Sequence, residues 1–219
     1  SEGQGRVSAS EVAAPQPTGE SLAAEDLCTL AWLHASEHPS VVWTALNRAG
    51  FPEGRVLLPA DDPAVVSMSG ILADLGRRAE GDRAALDDEI AADYAAIYLT
   101  HALRASPCES VWRDDEHLMW QGPTFEVRKL YRRHGLAVRD WRELPDDHLS
   151  NELAFVGALL GRGELQAARA FLADHLLVWL PKFAQQVAGR AHTALYGGLA
   201  VLTAQTCLAL KDVLDRDVE

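Results

Sequence analysis

The residues best suited to chemistry stand together at Pro145-Asp146-Asp147-His148-Leu149. A proline, two acids and a histidine here precede an apolar pattern that steps through Leu149, Leu153, Val156 and Leu160 at helical spacing. Asp146 or Asp147 can cap the free amides of that helix and complement its dipole. A carboxylate at the same place can also offer charge-assisted hydrogen bonds to a partner's arginine. Asp147 is the candidate for that contact, with Asp146 beside it and His148 shaping the pocket. Capping and recognition are compatible, because one carboxylate has two oxygens. Acid–base catalysis by the pair is disfavoured: neighbours on a helix diverge by about 100°. No Ser or Cys nucleophile can be set beside them from the sequence.

Tryptophans are the second group with a binding vocabulary. Trp112, Trp120 and Trp141 fall in or beside loop patterns, where a large apolar side chain either folds back over the core or anchors a peptide. Three consecutive acids, Asp114-Asp115-Glu116, lie between the first two. Trp32, Trp43 and Trp179 lie on helical patterns and are assigned to the core. His34 and His38 are four apart, a spacing compatible with a metal. The glutamate that zinc proteases place directly after the first histidine is missing, and no third ligand is apparent, so both are read as structural. No phosphate loop, dinucleotide-binding glycine pattern or serine elbow is present.

The elements that must position these residues read as helices throughout. The spacing predicts helices over 21–38, 41–48, 64–78, 83–104, 123–134, 149–160, 164–177, 180–189 and 192–214. A turn-rich segment, 51–63, and a long loop, 106–122, interrupt them. Only Val56-Leu57-Leu58 could be a short strand. Residues 1–19 read as a flexible or appended tail, and 20–219 as one all-α globular domain of about eight to ten helices.

Composition narrows the classes. Hydrophobic residues make up 48% of the 219, enough for a full core, while aromatics are 7%. The net charge is −12 with no dense basic run, which argues against nucleic acid; such a surface keeps a protein in solution and can also steer a basic peptide, and net charge does not choose between the two. Cys28, Cys108 and Cys207 form neither a disulfide framework nor a zinc pattern. No apolar run reaches the ~18 residues of a membrane span and no secretory leader is visible, so a cytoplasmic protein without stable membrane insertion is expected.

Three blocks carry a family resemblance. They are Tyr94-Ala95-Ala96-Ile97-Tyr98 with Pro107-Cys108-Glu109-Ser110-Val111-Trp112; Pro145-Asp146-Asp147-His148-Leu149 with Glu152-Leu153; and Phe171-Leu172-Ala173-Asp174-His175-Leu176 with Trp179-Leu180-Pro181-Lys182-Phe183. In this order and spacing, from Tyr94 to Leu210, the chain resembles the TorD/DmsD family of redox-enzyme maturation chaperones, relatives of NarJ. Cys108 departs from the family's usual aromatic, and Leu144 separates Glu143 from the proline. The resemblance implies a helical bundle that is not an enzyme and has no cofactor of its own. It implies binding of the twin-arginine signal peptide, and of the body as well, of a molybdopterin oxidoreductase precursor, held for cofactor insertion before export. An assembly subunit that stays on a mature oxidoreductase is the alternative. The peptide-binding residues it implies are Pro145, Asp147 and His148, then Ser110, Trp112 and Trp120. A monomer or a domain-swapped homodimer fits it.

Overall fold

Alanine- and leucine-rich segments with apolar residues three and four apart form helices that bury one stripe each. A computed structural model describes residues 18–113, 118–139 and 142–216. Its helices are α1 (Gly19–Ala35), α2 (Ser40–Arg48), α3 (Pro63–Gly81), α4 (Arg83–Tyr94), α5 (Glu109–Arg113), α6 (Gly122–Arg133), α7 (Leu149–Gly161), α8 (Leu165–Phe171), α9 (Leu177–Arg190) and α10 (Ala194–Arg216). Among the described residues there is no strand. The expected tail falls almost wholly outside them, as do Asp114, Asp115, Glu116 and Trp141.

Local chemistry sets the helix starts. Thr18 caps α1 by accepting from the Ser21 amide at 3.2 Å. Asp62 caps α3 ahead of Pro63, and Asp82 caps α4. The core forms where α1 lies on α7 and where α10 packs against α3 and α9. Leu27, Leu30, Leu153, Val156, Leu199 and Leu202 are buried there. α10 has the length and hydropathy of a membrane span, yet over half of its apolar window is buried in this bundle.

Several expectations are corrected. The helix expected over 83–104 leaves α geometry after Tyr94, makes one π turn over Ala95–Leu99 and stops. The helices expected over 164–177 and 180–189 are one continuous run, Leu165–Arg190, with a π turn at Leu172–Leu176. Pro181 sits inside α9 and well inside the continuous run, where its missing amide removes one hydrogen bond without ending the helix. The long loop expected over 106–122 contains α5, a helix too short to show a period. Trp32 is 46% exposed rather than in the core, while Trp43 and Trp179 are fully buried.

Candidate functional site

Two of the sequence blocks prove to be one unit. The chain at Pro107–Glu109 lies antiparallel to the chain at Asp147–Leu149, with Glu109 N donating to Asp147 O at 3.0 Å and Leu149 N to Pro107 O at 2.7 Å. The Asp147 carboxylate then accepts from the Ser110 amide at 2.8 Å. Asp147 therefore caps α5, a helix distant in sequence, and not α7. The cap of α7 is His148, whose Nδ1 accepts from the Ser150 amide at 3.2 Å and the Ser150 hydroxyl at 2.7 Å.

Asp146 is committed elsewhere. Its Oδ2 takes Nε and Nη2 of Arg128 at 2.9 and 2.7 Å, and its carbonyl takes the Tyr131 hydroxyl at 2.8 Å. Pro145 is buried, and its carbonyl accepts the Asn151 side chain at 2.7 Å. Asp147 and Ser110 are fully buried and His148 is 3% exposed. The residues expected at the contact with a partner's arginine, Asp147 and Asp146 with Pro145, His148 and Ser110, are thus all buried in this structure. Asp146 is already held by the Arg128 guanidinium, whereas Asp147 Oδ1 and Ser110 Oγ are buried without a hydrogen-bond partner among the described residues. Burial pushes the Asp147 carboxyl above its ordinary value, against the pull of the Ser110 amide.

Behind α5 lies a buried acid pair that the sequence reading left unassigned. Glu109 accepts from Arg113 at 2.5 Å and faces His175 Nδ1 at 3.1 Å. Glu152 accepts from the Trp179 indole at 3.2 Å. Burial and the neighbouring Glu109 hold Glu152 well above the ordinary carboxyl range. Burial also pushes Glu109 upward, but bonds from His175, Glu152 and Arg113 outweigh it and leave Glu109 below the ordinary value. The two carboxyls are thus shifted in opposite directions, as expected where like charges lie close in a buried setting.

The histidine expected to be structural, His34, has both ring nitrogens engaged: Nδ1 with the Tyr98 hydroxyl at 2.5 Å, Nε2 with Thr203 Oγ1 at 2.9 Å. Thr203 donates to Leu199 O, so it accepts from Nε2–H, and burial lowers the ring from 6.5 to about 3, which favours its neutral form. Among the described residues no three His, Cys, Asp or Glu side chains are grouped to hold a metal.

What the α5 unit positions is a cavity of about 680 Å³. Trp112 and Val111 form one wall, and the Trp112 indole is fixed by donation to Ser106 O at 2.8 Å. Leu118 and Met119 form the second wall, and His101, Arg104 and Gln186 the third. Leu118 is 47% exposed at the rim. The loop carrying His101 and Arg104 is clipped to α9, because Gln186 Nε2 donates to Arg104 O at 2.6 Å and Arg190 Nη1 to Leu103 O at 2.7 Å. His101, Arg104 and Trp120 have φ of 53°, 52° and 63°. These are the only non-glycine residues in the left-handed region among those described, and all three lie in the segments that frame the cavity. Such backbone costs roughly 1–2 kcal/mol per residue and persists where the surroundings impose it. Of the expected anchors, Trp112 lines the cavity, and Trp120 follows the lining residue Met119 directly. His101, Arg104 and Gln186 were not foreseen; they come from separate segments and carry no shared motif.

The described residues thus combine an all-helical bundle with an apolar cavity walled by Trp112, Leu118 and the loop that carries His101 and Arg104. The nitrate reductase delta subunit family matches residues 63–185, more than half of the chain. Chaperone protein TorD from Photobacterium profundum is 30% identical over 131 residues, 54% of this chain and 61% of that protein. Chaperone protein TorD from Vibrio parahaemolyticus is 29% identical over 171 residues, 73% of this chain and 75% of that one. The Tat proofreading chaperone DmsD from Salmonella typhi is 28% identical over 138 residues, 55% of this chain and 68% of that one. The chain belongs to this family, the TorD/DmsD group of redox-enzyme maturation chaperones.

Proposed function

We propose that the chain is a cytoplasmic chaperone that binds the twin-arginine signal peptide of a molybdopterin oxidoreductase precursor and holds that precursor until its cofactor is inserted. The observation that carries this reading is the cavity walled by Trp112. A signal peptide presents two arginines and then an apolar stretch. The cavity suits the apolar stretch, since burying one large aliphatic or aromatic side chain is worth roughly 1.5–3 kcal/mol. Its walls change no bond in the client. The paired arginines are held outside the cavity, because Arg104 and His101 on one wall do not favour a cation beside them.

The test is a titration of a synthetic twin-arginine signal peptide by calorimetry. Trp112→Ala is expected to weaken binding at least tenfold, about 1.4 kcal/mol. A peptide with serines in place of its apolar stretch should not bind. Equal affinity for Trp112→Ala would remove the cavity from the function. The family's description as a subunit favours one second reading, in which the chain stays on the mature oxidoreductase. Co-elution with the cofactor-loaded enzyme would select it.

A further inference from the structure

The chain is acidic overall, but not uniformly. Six of its 20 Lys and Arg fall within 128–142, against one of its 32 acids, Asp140. That segment carries +5, so the rest of the chain carries −17 within the total of −12. The cations of this segment are separated along α6 and the connector by Leu130, Tyr131 and 134–138. Lys129, Arg132 and Arg133 on α6, and Arg139 on the connector, are exposed. No acid pairs with these four among the described residues. Between the connector and α7 runs a furrow of about 260 Å³. Leu136 and Val138 form one side of it, Ala154, Phe155 and Ala158 the other, and Arg139 stands at its edge. It shares no lining residue with the Trp112 cavity.

We propose that this furrow and its cationic margin form a second docking surface, for an acidic amphipathic segment of a protein partner. The occupant follows from the chemistry of the two parts. Unpaired guanidinium groups favour carboxylates, and an apolar trough lined by alanine and phenylalanine favours small aliphatic side chains on one face of the same segment. A nucleic acid or a membrane is a long anionic surface. It would meet the −17 of the surrounding molecule as well as the local cations. A short segment meets only the patch, because charges beyond ~8 Å are screened at physiological salt. This surface is argued from its own residues and stands whether or not the cavity takes a signal peptide.

The probe is a fluorescein-labelled, Glu- and Leu-containing amphipathic helical peptide, followed by anisotropy on the full chain. Binding is expected to weaken at least tenfold in the Arg132→Glu, Arg133→Glu, Arg139→Glu variant and in Ala154→Glu, which places an acid in the trough. A scrambled peptide of the same composition should bind at least tenfold less tightly. The twin-arginine peptide, titrated in parallel, should be unmoved by these changes. Unchanged affinity in the charge-reversed variant would overturn the proposal. So would preference for anionic phosphatidylglycerol vesicles or duplex DNA over the peptide, or loss of both peptides together.

Discussion

Asp147 shows how a residue that reads as a ligand-binding acid becomes a structural one. Its carboxylate satisfies the buried Ser110 amide, and through α5 it fixes Trp112 at the cavity wall. Asp147→Ala leaves that amide without a partner, which costs about 1–3 kcal/mol. Asp147→Asn keeps an oxygen acceptor and loses only the charge, which burial already disfavours. Urea unfolding is therefore expected to show Ala well below Asn in stability, and Asn near wild type in signal-peptide affinity. A direct grip on arginine requires the reverse, with Asn as damaging to binding as Ala. The buried histidines give a second expectation. Burial, with the neighbouring His148 charge, lowers His34 from 6.5 to about 3; burial, with His101, does the same to His148. Between those values the unfolded chain binds the protons and the folded chain does not. This share of stability is complete above pH 6.5 and is lost as the pH falls towards 3, at ~1.4 kcal/mol per unit for each group. Glu152 acts with the opposite sign, because its raised carboxyl keeps a proton that the unfolded chain releases above 4.5. His34→Gln retains a donor for Thr203 and an acceptor for Tyr98. It should flatten the dependence of unfolding free energy on pH by ~1.4 kcal/mol per unit between about pH 6 and 4. An unchanged slope would show that His34 is charged when folded.

Packing between elements turns on how closely helices approach. A Cβ on Gly197 of α10 would lie 2.9 Å from the Ala188 Cα of α9, a backbone atom that cannot move without its helix. A Cβ on Gly76 of α3 meets nothing within 4 Å. Thermal melting should therefore separate the two substitutions. Gly197→Ala is expected to destabilise by about 1–3 kcal/mol through overpacking, and Gly76→Ala to stabilise by up to ~1 kcal/mol through helix propensity. Element scale is also where the sequence was most and least legible. The helix at Leu149–Gly161 was bounded correctly because its stripe is regular, its start has polar residues, and Gly161 marks its end. The runs through Ala95–Leu99 and Leu172–Leu176 were misjudged because each contains a π turn. An inserted residue shifts the face, so a 3.6-residue period read across it places the end wrongly. Both π turns carry a residue that reaches the site's interior: Tyr98 to His34, and His175 to Glu109. The family blocks located the right neighbourhood, since Pro107–Trp112 and Pro145–Leu149 are in contact. Their roles were illegible, because the partner of Asp147 is an amide 37 positions away and no spacing rule reports it.

Across the whole molecule, charge and apolar surface are divided between different tasks. The described residues that line the Trp112 cavity include no acid, so the proposed binding of a signal peptide there rests on removal of apolar surface from water. In the proposed function the net charge of −12 acts earlier, as an attraction on a peptide with paired arginines during encounter. The two contributions respond differently to salt. Stopped-flow mixing with a twin-arginine peptide should show an association rate that falls several-fold between about 50 and 300 mM salt, as the field is screened over a shorter length. The dissociation rate should change little over the same range, because contacts inside an apolar cavity carry no counter-ions. A carboxylate–guanidinium grip gives the opposite kinetic signature, with dissociation accelerated by salt as the bonded pair is weakened. A dissociation rate that climbs with salt would therefore move the principal contact from the Trp112 cavity to acidic groups outside it.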